Sequence, residues 1–92
     1  MKVTAFFHGI LADWVGAQSA RFELPDDSTY RDLIKEVDRR YRRNMPDQLW
    51  DRERNTFNGK VRVVRNGKAM DTTDFKLIEG ETLTFLLMMA GG

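Results

Sequence analysis

Cysteine is absent from this 92-residue chain, which removes disulfides, thiolate-held zinc and a cysteine nucleophile together. Histidine occurs once, at His8. With no second imidazole or thiolate to share a metal, and no nucleophile beside it in sequence, His8 reads as a structural or solvated side chain. An excess of one charge sign is also missing. Fifteen Lys and Arg against fourteen Asp and Glu leave a formal net charge of +1, which argues against a dedicated nucleic-acid binder. Long apolar runs are lacking. The longest, residues 85–90, is far too short to span a bilayer, and the first residues lack a signal-peptide pattern, so no membrane association and a cytoplasmic location are expected. Gly9, Gly16, Gly59, Gly67 and Gly80 lie scattered beside turns and form no phosphate-cradling loop, so no bound nucleotide or other cofactor is expected.

What is present suffices for one packed core. Apolar residues make up 41% of the chain, with six Phe, two Trp and two Tyr among them. A chain of this length has room for a single domain, residues 1–92, with a radius of gyration of about 12 Å. Residues 2–7, KVTAFF, alternate Val3, Ala5 and Phe7 on one face and read as a strand. HGILADWVGAQ follows as a packed loop, and residues 19–24 form a second strand ended by Pro25 and the turn pair Asp26–Asp27. Thr29 and Asp32 resemble a capping box. Tyr30, Leu33, Ile34, Val37 and Tyr41 then recur at helical spacing until Asn44 and Pro46 end the helix. Residues 44–58 read as a polar loop pinned by Leu49, Trp50 and Phe57.

KVRVVRNGKAM is a hairpin turning at Asn66–Gly67. Residues 71–81 supply a turn with Phe75, Leu77 and Ile78 facing in. The last strand, TLTFLLM, becomes apolar on both faces from Phe85 onward, the pattern of a strand in the middle of a sheet. Two strands, a helix and further strands predict an α+β β-grasp fold: a mixed sheet of four to five strands, one main helix on one face, and first and last strands paired in parallel.

The chain carries no catalytic constellation of its own. The basic run DRRYRR at the helix end complements the helix dipole and pairs with Glu36 and Asp38, and it also offers a patch that steers an acidic partner. The carboxyl end is the other feature. Glycine lacks a side chain, so Gly91–Gly92 can thread a channel that excludes any Cβ. A terminal carboxylate is a poor electrophile until a partner activates it. Transfer of AMP from ATP would give an acyl-adenylate open to a sulfur or amine nucleophile. The tail, residues 89–92, is expected to be flexible, with Gly92 and Gly91 as its reacting residues. Either Phe85, Leu87 and Met89 or Leu86 and Met88, with help from the strand at 61–64, would form an exposed docking patch unless Trp50 and Phe57 cover it. Phe85, Leu87, Met88, Met89 and Ala90 are therefore the candidate partner-binding residues.

Taken together, FFHGILADWVG, FELPDDSTYRDLIKEV, VRNGKAM and LIEGETLTFLLMMAGG resemble the sulfur-carrier family that contains the small subunit of molybdopterin synthase and the thiamine-pathway sulfur carrier, ubiquitin-like proteins ending in Gly-Gly. The resemblance implies that an activating enzyme adenylates Gly92 and converts it to a thiocarboxylate. The sulfur would then pass to a precursor held by the large subunit of a molybdopterin-synthase-like enzyme. It also implies a free monomer that becomes part of a hetero-oligomer in complex. Many molybdopterin carriers have two prolines where this chain has Leu87 and Met88, and an arginine where it reads GILADWVG. The insert at 44–58 is longer than in thiamine carriers and resembles molybdopterin carriers or the carrier used for cysteine synthesis in some bacteria. Other functions share these features: a sulfur carrier for cysteine or thiamine synthesis, a ubiquitin-like modifier forming isopeptide bonds through Gly92, and a β-grasp binding module with an incidental tail.

Overall fold

A computed structural model describes residues 1–54, 56–70 and 75–88. Strand β1 (Lys2–Phe7) leads into a short helix α1 (Ile10–Val15) and strand β2 (Ser19–Glu23), followed by helix α2 (Tyr30–Tyr41) and a 3-10 turn (Arg42–Asn44). Strands β3 (Trp50–Asp51), β4 (Thr56–Phe57), β5 (Val61–Arg65), β6 (Lys68–Ala69) and β7 (Thr82–Leu87) complete the order. The main sheet runs β2-β1-β7-β5-β6, with β1 and β7 parallel and the other neighbours antiparallel. This is the expected α+β β-grasp, with β7 in the centre of five strands. The Cα radius of gyration is 12.3 Å.

Alternation decides which sheet face is covered. Val3, Ala5 and Phe7 of β1, Ala20 and Phe22 of β2, Val63 of β5, and Leu83 and Phe85 of β7 are buried. They meet the apolar stripe of α2, Tyr30, Leu33, Ile34 and Val37. The capping box is formed: the Thr29 N–H donates to Asp32 Oδ2 at 2.8 Å. The same helix start is tied to the far side of the fold, because the Tyr30 N–H donates to the Phe75 carbonyl at 2.9 Å and the Leu77 N–H to that of Ser28 at 3.0 Å. Asn66 and Gly67 turn the β5–β6 hairpin with φ of 50° and 80°, the left-handed pair that a tight reversal requires.

Three segments differ from expectation. GILADWVG is helical over Ile10–Val15 rather than a loop. Leu11 and Val15, one turn apart, drop into the core, and Gly16 closes the helix with φ of 91°. The insert, entered through the 3-10 turn at Arg42–Asn44, holds a two-stranded ribbon pairing Trp50 with Phe57, with Met45, Leu49, Trp50 and Phe57 all buried. Leu49, Trp50 and Phe57 pin it to the core as expected, and what differs from a loop is the paired ribbon. Ile78 does not face in; it is 53% exposed, while Leu77 alone of its neighbours is buried and Phe75 is half-buried. The remaining part of that turn, residues 71–74, lies outside the described residues.

Candidate functional site

The end of β7 is held from both sides. On one side the His8 N–H donates to the Phe85 carbonyl at 3.0 Å, and α1 begins two residues later. On the other, Leu87 pairs with Val61, and the Met88 N–H donates to the Lys60 carbonyl at 2.6 Å. A central strand clamped in this way gives the chain beyond it a fixed point of departure. Gly91, Gly92, Met89 and Ala90 lie outside the described residues.

The docking residues expected from sequence divide between two surfaces. Phe85 is wholly buried. Its ring sits 5.5 Å from Phe7, 6.3 Å from Tyr30 and 5.2 Å from Phe57, centroid to centroid, so it joins β1, α2 and the insert and is removed from the candidate docking surface. The cover is supplied by the insert, as Trp50 and Phe57 stack edge to face at 5.1 Å over this side. Leu87, on the same face as Phe85, is half-buried against the core. Leu86 and Met88 point the other way. Leu86 is half-buried and Met88 is 43% exposed.

That second face carries no helix among the described residues. Phe6 lies opposite Thr84 and Thr84 opposite Val64, while Leu86 is level with Arg62. Phe6, Val64, Leu86 and Met88 thus form an accessible apolar strip next to the point where the chain leaves the sheet. The strand at 61–64 contributes to it only through Val64, because Val61 and Val63 face the helix side. Sequence reasoning missed two further residues near this end. Ile10 and Trp14 are 49% and 38% exposed, spaced one turn apart on the outer side of α1. Their i, i+4 spacing is the one signal the sequence carries for them, too short a pattern to mark a helix.

Three of the four arginines in the basic run at the end of α2, Arg39, Arg40 and Arg42, are engaged locally. Arg39 bonds Glu36 at 2.9 Å and holds its carboxyl below the usual carboxylate range, and Arg42 pairs with the buried Asp38. The Arg40 guanidinium lies 4.2 Å over the Phe22 ring and donates to the Arg21 carbonyl at 3.1 Å. His8 is exposed at the end of β1. No cluster of three metal-ligating side chains and no helix long and apolar enough to cross a membrane occur among the described residues.

A five-stranded mixed sheet with a clamped central strand and one main helix on one face defines the ubiquitin-like β-grasp class. The profile of the ThiS family matches residues 6–92, and the chain belongs to that family of ubiquitin-like sulfur carriers and modifiers. No curated protein matches it in sequence. The fold is similar to that of SAMP1 from Haloferax volcanii, with a TM-score of 0.81 at 17% identity over 100% of both chains. It is also similar to a protein assigned as molybdopterin converting factor subunit 1 from Pyrococcus furiosus, with a TM-score of 0.72 at 21% identity over 97% of this chain and 99% of that one. A third likeness is to a chain in the BexX/CysO complex of Amycolatopsis orientalis, with a TM-score of 0.62 at 22% identity over 98% and 99%.

Proposed function

We propose that this chain is a sulfur carrier whose Gly92 carboxylate is activated by a partner and becomes a thiocarboxylate. The carrying observation is the family match, which runs through residue 92 and so includes Gly91–Gly92. The chemistry needs little from the carrier itself. A carboxylate oxygen attacks the α-phosphorus of ATP and releases pyrophosphate; hydrosulfide or an equivalent donor then attacks the acyl carbon and expels AMP, leaving sulfur in place of one oxygen. ATP belongs to the activating enzyme, and the absence of cysteine means that no thiol of the carrier competes for the adenylate. Phe6, Val64, Leu86 and Met88 offer apolar area to the enzyme that grips the tail, while Gly91 and Gly92 pass where a Cβ would not fit.

For the acceptor we propose the precursor of molybdopterin, held by a large subunit resembling that of molybdopterin synthase. The insert at 44–58, which sets the chain apart from thiamine carriers, and the likeness to the Pyrococcus furiosus fold support this choice. The test is intact-mass analysis after incubation with a cognate activating enzyme, ATP and a sulfur donor, followed by addition of the large subunit and precursor. Sulfur-for-oxygen exchange confined to Gly92, then lost on product formation, is the expected result. An unchanged mass, where a control carrier is converted, rejects the carrier reading. Higher-mass adducts on lysines of other proteins favour the modifier instead.

A further inference from the structure

A groove of about 960 Å³ runs between α2 and the β4–β5 side of the molecule, away from the open sheet face. Its floor is apolar, with Ile34, Val61 and Met70 among the lining residues. Arg31 and Lys35 of α2, Arg54 of the insert and Arg62 of β5 also line it. The acid lining it, Asp38, is 7% exposed and engaged by Arg42.

This charge is segregated rather than balanced. Among the described residues, Arg31 and Lys35 enter no ion pair, and Arg54 reaches Asp51 only at 3.8 Å. Arg31 and Lys35 sit four residues apart on one helix, an arrangement that destabilises an isolated helix unless an anion lies between them. The net charge of the whole chain is only +1, so the cationic rim is local to the groove. Asn58, Gly59 and Val61 also line the groove and flank Lys60, whose carbonyl accepts the Met88 N–H, so the groove lies beside the end of β7.

We propose that the groove seats an extended acidic segment of a partner protein, its apolar side chains on the floor and its carboxylates against Arg31, Lys35 and Arg54. An apolar floor under a cationic rim suits alternating apolar and acidic side chains, since each carboxylate is met by a cation and each apolar group is desolvated. A nucleic-acid backbone would leave the floor unused. The interaction is independent of the carboxylate chemistry at Gly92.

The test is a titration of the isotope-labelled protein with a short capped peptide alternating glutamate and leucine, followed by NMR. Backbone amide signals of Arg31, Lys35, Thr56, Asn58, Gly59 and Val61 are expected to shift saturably, more weakly at high salt. The double variant Arg31→Gln/Lys35→Gln, whose spectrum reports its folding, is expected to bind about tenfold more weakly. Absence of any shift overturns the proposal, as does equal binding of a glutamine-for-glutamate peptide or an unweakened double variant. Shifts centred on Phe6, Val64 and Leu86 place the partner on the sheet face instead. A stronger groove response to a short oligonucleotide replaces the proposed occupant with nucleic acid. Peptide binding that emerges only in Asp71→Asn/Asp74→Asn assigns the groove to the chain's own acids, and also overturns it.

Discussion

Phe85 and Met88 stand three residues apart near the end of one strand and do opposite work. Phe85 is enclosed by Phe7, Tyr30 and Phe57; truncating it removes apolar burial from three elements at once and leaves a cavity. Phe85→Ala is expected to cost about 3–5 kcal/mol, read from the urea midpoint. Met88→Asp, at a 43% exposed position, is expected to change stability by no more than about 0.5 kcal/mol while weakening association with the activating enzyme. Comparable stability losses in the two variants would show that Met88 also belongs to the core. The division was only half legible in the chain. Strand alternation separates 85 and 87 from 86 and 88, but it cannot say which set faces the helix, because both are apolar. The rings that enclose Phe85 come from residues far away in sequence.

At the scale of the element, α2 is the part whose sequence signals and structure agree most closely. Thr29 and Asp32 close its first turn, so Thr29→Ala is expected to lower stability by about 1 kcal/mol. A loss near zero would mean that the bonds from Tyr30 to Phe75 and from Leu77 to Ser28 hold the helix start without the cap. In the middle of the helix, the hydrogen bond and charge of Arg39 lower the pKa of Glu36. A carboxyl whose folded pKa is depressed stabilises the fold above its unfolded value, and that contribution disappears as pH falls through the folded one. Glu36→Gln is therefore expected to cost about 0.2–0.5 kcal/mol at neutral pH, as for an exposed helical ion pair, and nothing once the pH is below the depressed value. Equal unfolding midpoints of variant and parent at neutral pH would remove the pair from the account. The shorter elements were less legible. Leu11 and Val15 are one helical turn's pair, too few to establish a period, and the two-residue strands of the insert show no alternation to read. Their structure depends on a core surface already being in place.

For the molecule as a whole, parallel pairing of β1 with β7 closes the fold across nearly the full chain length, and the insert shares Phe85 with the main sheet. Sheet and insert should thus unfold together. In a Trp14→Phe variant, which leaves Trp50 as the sole indole, fluorescence and far-ultraviolet circular dichroism are expected to give one coincident thermal midpoint. An earlier fluorescence transition would show the insert to be a separately melting lobe. The β5–β6 hairpin is tied into the same unit by the pairing of β5 with β7 and by the two bonds of Arg65 to Glu81, at 2.8 and 2.9 Å.

By itself the sequence determined the periodicities, and with them α2, its cap, the Asn66–Gly67 reversal, the central position of β7 and the β-grasp order. Each depends on residues within a turn or two of one another, or on a strand being apolar throughout. It also carried the Gly91–Gly92 end and the resemblance that points to its chemistry. Only the tertiary structure decided which face of β7 is core, that 44–58 holds a paired ribbon, and that Arg31, Lys35, Arg54 and Arg62 line one groove. Those outcomes depend on which distant surfaces compete for the same apolar area, a contest settled by packing in three dimensions and not by local spacing.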